Sequence, residues 1–419
     1  MSPEAPLPRL RAVTREVPDL DDVLSYADPD DPTVWTRRGD IMIGLGHAAS
    51  LPTGADAAAW WRAVSAAAEI DDPVGSPGTG LLAFGALPFA GDSAAPAALT
   101  VPRVVIGRRG GRSWLTRIHD ADAPAPSNDE RMPPRIEYGP HWSATLGPGT
   151  LTPEGYQAAV AAGLDAIAAG EVAKVVLARD LSGTVPAGAD LRRLVRALAT
   201  AYPDTWTFAV DGLIGASPET LVTVAHGTVT ARVLAGTIGR GADADADTAA
   251  SLQLATSTKD IDEHRYAVQS VLTALRPHTS ALVAEDEPFL LKLPNVFHLA
   301  TDVEGTLAGG ASALDLVAVL HPTAAVAGTP TEVALQVIDR LEPFDRGRYA
   351  GPVGWIDAAG DGEWAIALRC AQFDVHAEGQ ADGIRVTAHA GAGIVAGSDP
   401  ETEMLETRVK FRPIVDALA

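Results

Sequence analysis

The stretch GPVGWIDAAGDGEWAIALRCAQFDV (residues 351–375) contains two β-strand patterns that follow each other directly, and the second runs from Glu363 to Val375. A third strand pattern, GIRVTAHAG, and a C-terminal helix pattern come next. Further upstream, strands again arrive in antiparallel-looking runs with helices between them, rather than as repeated strand–helix–strand units. The sequence therefore predicts an α+β protein: a large two-lobed layered fold of mostly antiparallel sheets with helices packed outside.

A segment rich in Pro, Asp and Asn, residues 120–140, has little that could pack in a core. It predicts a loop between an N-terminal lobe, residues 1–140, and a core, residues 150–419. We expect the lobe to complete the fold of the core, so that the two form one integrated domain. The lobe contains a helix pattern near Ala57–Ala68 and no residues that indicate chemistry.

Charge and cysteine content restrict the partners of this 419-residue chain. Its formal net charge of −22 argues against binding to nucleic acid or an anionic membrane, because phosphates attract basic surfaces. The single cysteine, Cys370, cannot form an intramolecular disulfide, and its surroundings predict a buried strand. No run of about 18 apolar residues occurs. These features predict a soluble, cytoplasmic protein.

Two motifs resemble ligand sites but fail on spacing. GAGIVA (391–396) fits a dinucleotide-binding glycine pattern, yet too little chain follows to complete the required unit. Close backbone approach at these glycines and a plain tight turn both remain open. DADAD (243–247) resembles a calcium loop, but Thr248 and Leu254 stand where Gly and Glu are needed, so it predicts a solvated acidic loop.

Two ionisable residues border apolar strand patterns. Lys174 leads into KVVLARDL, where burial would favour use as a base, although a lysine that reaches solvent from a strand edge is the alternative. Glu219 follows Pro218 in GASPETLV and sits at a strand end. A turn carboxylate in water is the alternative for Glu219.

Two helix patterns carry further carboxylates. In TSTKDIDEHRYAV (256–268), Asp260 and Glu263 fall opposite the apolar stripe, which by itself favours a solvated face. In DPETEMLETRVK, Glu403, Glu406 and Lys410 share one face of a helix that Asp399 can cap. An ordinary surface pair of Glu406 with Lys410 is the alternative.

Nine segments, taken in order, resemble the successive motifs of the chorismate-utilising enzymes, which include isochorismate, salicylate, anthranilate and aminodeoxychorismate synthases. The resemblance covers roughly residues 150–412. The segments are KVVLARDL, GASPETLV, VLAGTIGRG, STKDIDEH, FHLATDVEG, LHPTAAVAGTP, RGRYAGPVGW, IALRCAQ and AGAGIVAGSDPETEMLETRVK.

This resemblance implies the chorismate-binding fold of anthranilate synthase component I and a Mg²⁺-dependent site. By position, Glu263 and Glu406 match the metal carboxylates, with Glu403 close by, whereas Lys174 and Glu219 match the base and the acid. Tyr349 and Arg369 match residues that hold the enolpyruvyl carboxylate of the substrate. The remaining substrate-binding positions that the resemblance implies are Gly236, Thr237, His298, Gly391, Gly393 and Lys410.

Among the family members, the segments look most like isochorismate synthases, which isomerise chorismate by adding water at C2 and losing the C4 hydroxyl. Lys174 is retained, whereas ammonia-using relatives typically replace it, and Ala235 stands where covalent aminodeoxychorismate synthases have a lysine. A salicylate synthase, which goes on to release pyruvate, is the first alternative. An ammonia-dependent anthranilate or aminodeoxychorismate synthase component is a more distant one. The resemblance implies a monomer without a glutaminase subunit.

Overall fold

Two large β-sheets account for most of the protein in the computed structural model. The structure describes residues 7–123, 131–241, 243–292, 296–377 and 383–419, except for the side chains of residues 237, 259, 263 and 296. Every strand pairing in the described part is antiparallel apart from the short pairing of β1 (Leu10–Val17) with β5 (Glu69–Asp71). The prediction of a layered α+β fold with mostly antiparallel sheets is therefore confirmed.

The first sheet has 13 strands in the described residues. Besides β1 and β5 it contains β2 (Thr33–Arg37), β3 (Asp40–Leu45), β8 (Val104–Arg109), β9 (Arg112–Asp120), β10 (Gly147–Pro148), β11 (Lys174–Val185), β12 (Trp206–Val210), β13 (Leu213–Ser217), β19 (Gly328–Thr329), β22 (Cys370–Phe373) and β23 (Ile384–Ile394). Its order is β10-β11-β23-β22-β13-β12-β2-β3-β8-β9-β1-β5, with β19 paired to β11.

The second sheet has 10 strands in the same part of the chain. It contains β4 (Ala49–Ser50), β6 (Leu82–Ala86), β7 (Ala98–Val101), β14 (Thr220–Ala225), β15 (Thr228–Gly239), β16 (Thr279–Ala284), β17 (Phe289–Lys292), β18 (Val296–Leu307), β20 (Pro352–Asp357) and β21 (Gly362–Ile366). Its order is β16-β18-β15-β14-β21-β20-β6-β7-β4, with β17 paired to β18.

Alternating side chains of the first sheet enter two different cores. Met42 of β3 and Val105 of β8 belong to a core that both sheets share, whereas the next residues, Ile43 and Ile106, belong to a core on the opposite face. This division follows from the two-residue period of a strand, which sends successive side chains to opposite faces. The first sheet is thus buried on both faces.

Helices cover the outer faces of the sheets. They are α1 (Ala57–Ala67), α2 (Pro153–Ala168), α3 (Arg192–Ala201), α4 (Ala244–Thr256), α5 (Thr258–Leu275), α6 (Ala313–Leu320), α7 (Thr331–Leu341) and α8 (Pro400–Leu418). Helices α3 and α8 pack on the outer core of the first sheet, α2 and α7 on β11, and α4 and α5 on β15 and β18. No helix in the described part of the chain is both long and apolar enough to cross a membrane.

The loop predicted near residues 120–140 is present where the structure describes it, because residues 131–146 form neither helix nor strand. The buried guanidinium of Arg192 holds this segment by donating to the carbonyls of Ile136 at 3.1 Å and Glu137 at 2.9 Å. Strands from either side of the loop pair in both sheets: β2 with β12, and β6 with β20. The division at residues 140–150 stays a prediction.

Two local predictions are wrong. The run from Glu363 to Val375 is not one strand but β21 and β22, which lie in different sheets and are separated at Arg369, whose φ is +50°. The acidic segment 243–247 is not a loop but the start of α4, because Asp243 caps the helix by accepting from the N–H of Ala246 at 2.8 Å.

Candidate active site

Two neighbouring crossings between the sheets carry the candidate acid and the candidate substrate-binding arginine. Glu219 lies where the chain leaves β13 for β14, and Arg369 lies where it leaves β21 for β22. The N–H of Ala216 donates to the Arg369 carbonyl at 3.1 Å, and the N–H of Ile366 donates to the Glu219 carbonyl at 3.1 Å. These two hydrogen bonds join the two crossings, so that Glu219 and Arg369 lie side by side between the sheets.

The carboxyl group of Glu219 is biased toward its protonated form. Burial raises the pKa of Glu219 above its ordinary value, and the nearby charges of Lys174, Arg369 and Lys410 only partly oppose that rise. Its backbone is fixed by Ser217, whose Oγ accepts from the Glu219 N–H at 3.2 Å. Glu219 is partly buried, so it differs from the fully solvated turn carboxylate of the alternative.

The side chain of Lys174 lies against a glycine of the neighbouring strand. Lys174 begins β11 and is half-buried, and the neighbouring strand β23 presents Gly393. A Cβ atom on Gly393 would lie 2.9 Å from Cε and 3.6 Å from Nζ of Lys174. The charge of Lys174 also acts on the pKa values of Glu219 and His298, so the amine lies close to both side chains.

Gly236 and His298 meet at a β-bulge. Gly236 has a left-handed φ of +76° where the pairing of β15 with β18 shifts register. A Cβ atom there would lie 3.2 Å from Leu299 and 3.3 Å from Asp260. Burial lowers the pKa of His298, the charges of Lys174 and Lys410 lower it further, and a hydrogen bond to the Gly236 backbone works in the opposite direction. His298 is therefore a neutral ring among cations.

Arg369 has a left-handed backbone conformation, with φ of +50°. A left-handed arginine costs of order 1–3 kcal/mol, and such residues concentrate at functional sites. Within the described residues its guanidinium has no hydrogen-bond or ion-pair partner, and burial lowers the pKa of Arg369 although Tyr349, Glu406 and Glu219 oppose this. An arginine of this kind is suited to bind a planar carboxylate in a bidentate manner.

Tyr349 lies beside Arg369 and is 7% exposed. Burial raises its pKa, so the hydroxyl stays protonated and can donate a hydrogen bond. Arg369 and Tyr349 together could therefore bind one carboxylate.

Helix α8 brings two carboxylates and a lysine to the glycine-containing strand β23. Asp399 caps the helix as predicted, accepting from the N–H of Thr402 at 2.9 Å. Lys410 forms the ion pair with Glu406 that the alternative interpretation expected, at 2.5 Å, and it also donates to the Gly391 carbonyl at 2.8 Å. The pair is thus anchored to the site rather than being only a surface contact.

The predicted metal carboxylates are described only in part. Glu263 lies in α5, but its side chain lies outside the described residues. The same is true of Thr237 in β15, which was predicted to bind substrate. Among the side chains that are described, no three acidic, histidine or cysteine groups converge as metal ligands. Burial raises the pKa of Glu403, and the charge of Glu406 adds to that rise. Two carboxylates that repel each other in this way fit a hard divalent cation, which prefers oxygen ligands.

Sequence reasoning missed Tyr156, a fully buried residue of α2. Its hydroxyl donates to the Leu177 carbonyl of β11 at 3.1 Å, and the charges of Glu403 and Glu406 act on its pKa, which burial raises. Tyr156 thus contacts β11, the strand of Lys174, and lies near the two carboxylates of α8. Its place on an apolar helix face gave no signal beyond core packing.

A buried ion pair behind the site was also missed. Glu342 and Arg346 are 1% and 2% exposed, lie 2.6 Å apart, and Glu342 accepts from the backbone N–H of Ala178 at 2.7 Å. Their spacing of four residues is the same as in a surface pair, so the sequence did not distinguish them.

Known proteins resemble this chain over nearly its whole length. A family model described as "Chorismate binding enzyme" matches residues 8–419. Isochorismate synthase DhbC of Bacillus subtilis (strain 168) is 41% identical over 278 residues, which cover 64% of this chain and 68% of that protein. A putative isochorismate synthase MenF of Mycobacterium tuberculosis is 39% identical over 353 residues, covering 81% and 87% respectively. The solved structure of MenF, the menaquinone-specific isochorismate synthase from Escherichia coli, has a TM-score of 0.77 at 25% identity and covers 98% of this chain and 95% of that one.

These similarities extend from the N-terminal strands to α8, so they include both sheets and every segment on which the resemblance was based. They confirm the predicted fold of anthranilate synthase component I type. The chain belongs to the chorismate-binding enzyme family.

Proposed function

We propose that this protein is an isochorismate synthase that converts chorismate into isochorismate. The proposal rests on the proximity of a carboxyl group with a raised pKa, Glu219, to the half-buried amine of Lys174, whose charge acts on that pKa. Relatives that are 39–41% identical and named isochorismate synthases support the same activity.

In the proposed reaction, Lys174 first loses its ammonium proton to solvent, and the neutral amine then accepts a proton from a water molecule while the water oxygen bonds to C2 of the ring. The two ring double bonds shift, the C4–O bond breaks, and Glu219 donates its proton to the departing hydroxyl. One water enters and one leaves, so the product is an isomer of the substrate. The raised pKa of Glu219 suits a general acid at neutral pH.

The substrate is a dianion, and we infer that cations of the site hold its two carboxylates. Arg369 and Tyr349 would bind the enolpyruvyl carboxylate, with backbone N–H groups around Gly391 and Gly393 beside them. Lys410 supplies a second positive charge. His298, Gly236 and Thr237 would line the ring. Since His298 is neutral, it can accept or donate a hydrogen bond without adding charge.

We propose Mg²⁺ as the cofactor, held by Glu263 and Glu406 with Glu403 nearby. When bound, the ion would supply positive charge to the ring carboxylate, which an acidic protein would otherwise repel. The mutual repulsion of Glu403 and Glu406 supports this assignment, because a cation between them would relieve it.

The pathway, the compartment, the oligomeric state and the absence of a glutaminase subunit are also proposals. The product would serve menaquinone or siderophore biosynthesis, and the enzyme would act in the cytoplasm as a monomer without a glutaminase. The menaquinone role is named for the Escherichia coli relative.

The test is to incubate purified protein with chorismate and Mg²⁺, with and without ammonium, and to separate the products by chromatography. Isochorismate alone is expected. Prompt salicylate with pyruvate would instead identify a salicylate synthase, and an ammonium-dependent amino product would identify an anthranilate-type enzyme. No product under any condition would contradict the catalytic assignment.

A further inference from the structure

The orientation of Tyr349 depends on packing rather than on hydrogen bonds from its hydroxyl. Within the described residues, no hydrogen-bond partner reaches that hydroxyl, whereas the backbone N–H of Tyr349 donates to the Arg346 carbonyl at 3.0 Å. Tyr349 lies in a turn, next to Ala350, whose φ is +61°. Whatever touches the flat faces of the ring therefore determines where the hydroxyl points.

His389 covers one face of the Tyr349 ring. The two ring centroids are 5.2 Å apart with an angle of 23° between the planes, which is a stacked arrangement. Phe344 contacts His389 in turn, with centroids 5.1 Å apart. His389 belongs to β23, two residues before Gly391, so its position is fixed by the same strand that borders Lys174.

The imidazole of His389 is neutral in this environment. Burial lowers its pKa to about 4, and the charge of Arg346 lowers it further, whereas Asp180 and Asp345 oppose the change. A neutral ring can stack on a phenol without placing an unpaired charge in the interior.

Beside this stack lies a cavity of about 450 Å³, which both Tyr349 and His389 line. Three of the polar side chains that line it are already engaged with one another: Arg348 pairs with Asp211 at 2.6 Å, and the Gln372 amide donates to the Asp211 carbonyl at 3.0 Å. These three side chains are therefore not free to bind a ligand in the cavity. It is large enough for a tyrosine ring that has lost its stacking partner to rotate into it.

We propose that His389 is a positioning residue, whose stacked ring keeps Tyr349 turned toward the substrate carboxylate and out of the adjoining cavity. This inference rests on the proposed function, because the contact between Tyr349 and chorismate is part of it. His389 acts through Tyr349 and does not itself touch the reacting atoms.

Three substitutions at His389 and one control test the proposal. His389→Phe keeps a flat stacking face, His389→Leu keeps volume without one, and His389→Ala removes both. Thr387→Ala is the matched control, because Thr387 lines the same cavity from the same strand, two residues away. The Kd for chorismate is measured by equilibrium titration, together with KM, kcat and the thermal unfolding midpoint.

We expect His389→Leu and His389→Ala to raise Kd and KM about three- to tenfold with kcat within about twofold, as the stacking energy of one aromatic pair indicates. His389→Phe and Thr387→Ala should stay within about twofold of the parent. A general packing role would instead lower the unfolding midpoint without this pattern in KM. His389→Leu keeps the test available if the alanine variant does not fold.

A double-mutant cycle with Tyr349→Phe separates action through Tyr349 from other effects. In the Tyr349→Phe background, His389→Leu should change Kd by less than about twofold, because the hydroxyl to be positioned is gone. Equal effects in both backgrounds, or no change in Kd in the parent background, would overturn the proposal.

The two proposals fail in distinguishable ways. A parent protein that binds chorismate without forming isochorismate contradicts the proposed function, while Kd still tests His389. A parent that forms isochorismate, with His389→Leu unchanged in Kd and KM, contradicts only the positioning role. A parent that does not bind chorismate contradicts both.

Discussion

The ammonium group of Lys410 lies 2.5 Å from Oε1 of Glu406, one helical turn away on α8. The same ammonium donates to the Gly391 carbonyl, so it links the helix to β23. Glu406 is 48% exposed and Lys410 23% exposed, which leaves the carboxylate open on its other side. Lys410 thus offsets one of the proposed metal carboxylates while it stays within reach of the substrate site.

Glu406→Gln should weaken the response to Mg²⁺. The amide keeps the shape of the side chain but removes one of the charged oxygens proposed to hold the ion. We expect the Mg²⁺ concentration for half-maximal rate to rise about tenfold or more, as measured in a magnesium titration at saturating chorismate. Glu401→Gln, on the exposed first turn of the same helix, serves as the control. An unaltered titration for Glu406→Gln would count against its role as a ligand.

Lys174→Ala should abolish water addition but preserve chorismate binding. Removal of a general base slows a reaction by about 100-fold or more, whereas the carboxylate anchors at Arg369 and Tyr349 are untouched. Measurement of kcat and of Kd for chorismate separates the two effects. Turnover equal to that of the parent would remove Lys174 from the mechanism.

Glu219→Gln should slow the loss of the C4 hydroxyl by about 100-fold, because the amide has no acidic proton to donate. In the parent, the rate should fall as pH rises through the raised pKa of Glu219, since the acid is then ionised. That limb of the pH–rate profile should be absent in the variant. Identical profiles for the two proteins would contradict the assignment.

The same substitution should affect stability with a defined sign. A carboxyl group whose pKa is raised on folding binds its proton more tightly in the folded state, so its contribution falls as pH rises from 4.5 through the folded pKa. Glu219→Gln removes this penalty and should raise the unfolding midpoint more at pH 8 than at pH 5. A gain that is equal at both pH values would be inconsistent with the raised pKa.

Gly393→Ala should displace the end of Lys174. The added methyl group would lie 2.9 Å from Lys174 Cε, so the flexible side chain must move, and a misplaced base costs about 10- to 100-fold in kcat. Gly397→Ala is the control, because a Cβ atom at Gly397 meets no atom within 4 Å. Comparable kcat values for the two variants would show that the contact with Gly393 does not matter.

Glu342→Ala should destabilise the protein strongly, because it leaves the Arg346 guanidinium buried without its partner. Breaking a buried pair costs about 3–5 kcal/mol. Glu171→Ala breaks the exposed pair with Arg340, which has a separation of 3.0 Å, and should cost about 0–1 kcal/mol. Denaturant titration of both variants measures the difference, and similar losses would refute the distinction.

Several elements could be predicted because local pattern and final structure agree. The apolar pattern of VFHLATDVEGTL predicts a strand, and the segment forms β18 over Val296–Leu307. Thr152 followed by Pro153 predicts a helix start, and α2 begins at Pro153 with Thr152 as its cap. The break at Arg369 could not be predicted, because the residues on both sides are equally suited to a strand. Only the tertiary arrangement sends one half to each sheet.

The candidate site was harder to predict because its parts are distant in sequence. Local pattern left Lys174 and Glu219 as plausible surface groups, and only the ordered resemblance to a family suggested their roles. Glu219 lies near Lys174, Arg369 and Lys410 because the chain crosses from one sheet to the other at this point. No short segment of sequence contains that information. Likewise, a spacing of four residues describes both the buried Glu342–Arg346 pair and the exposed Glu406–Lys410 pair.

The pairing of β6 with β20, and of β2 with β12, has a consequence for biosynthesis. On the ribosome, β6 emerges long before its neighbour β20 is translated, so an open sheet edge persists while the residues between the two strands are being made. Open edges of this kind pair readily with other chains. Even after β20 and β12 have emerged, the nascent protein lacks α8, and with it Glu403, Glu406 and Lys410. The candidate active site is therefore completed only after α8 has been synthesised, which follows both β12 and β20 along the chain.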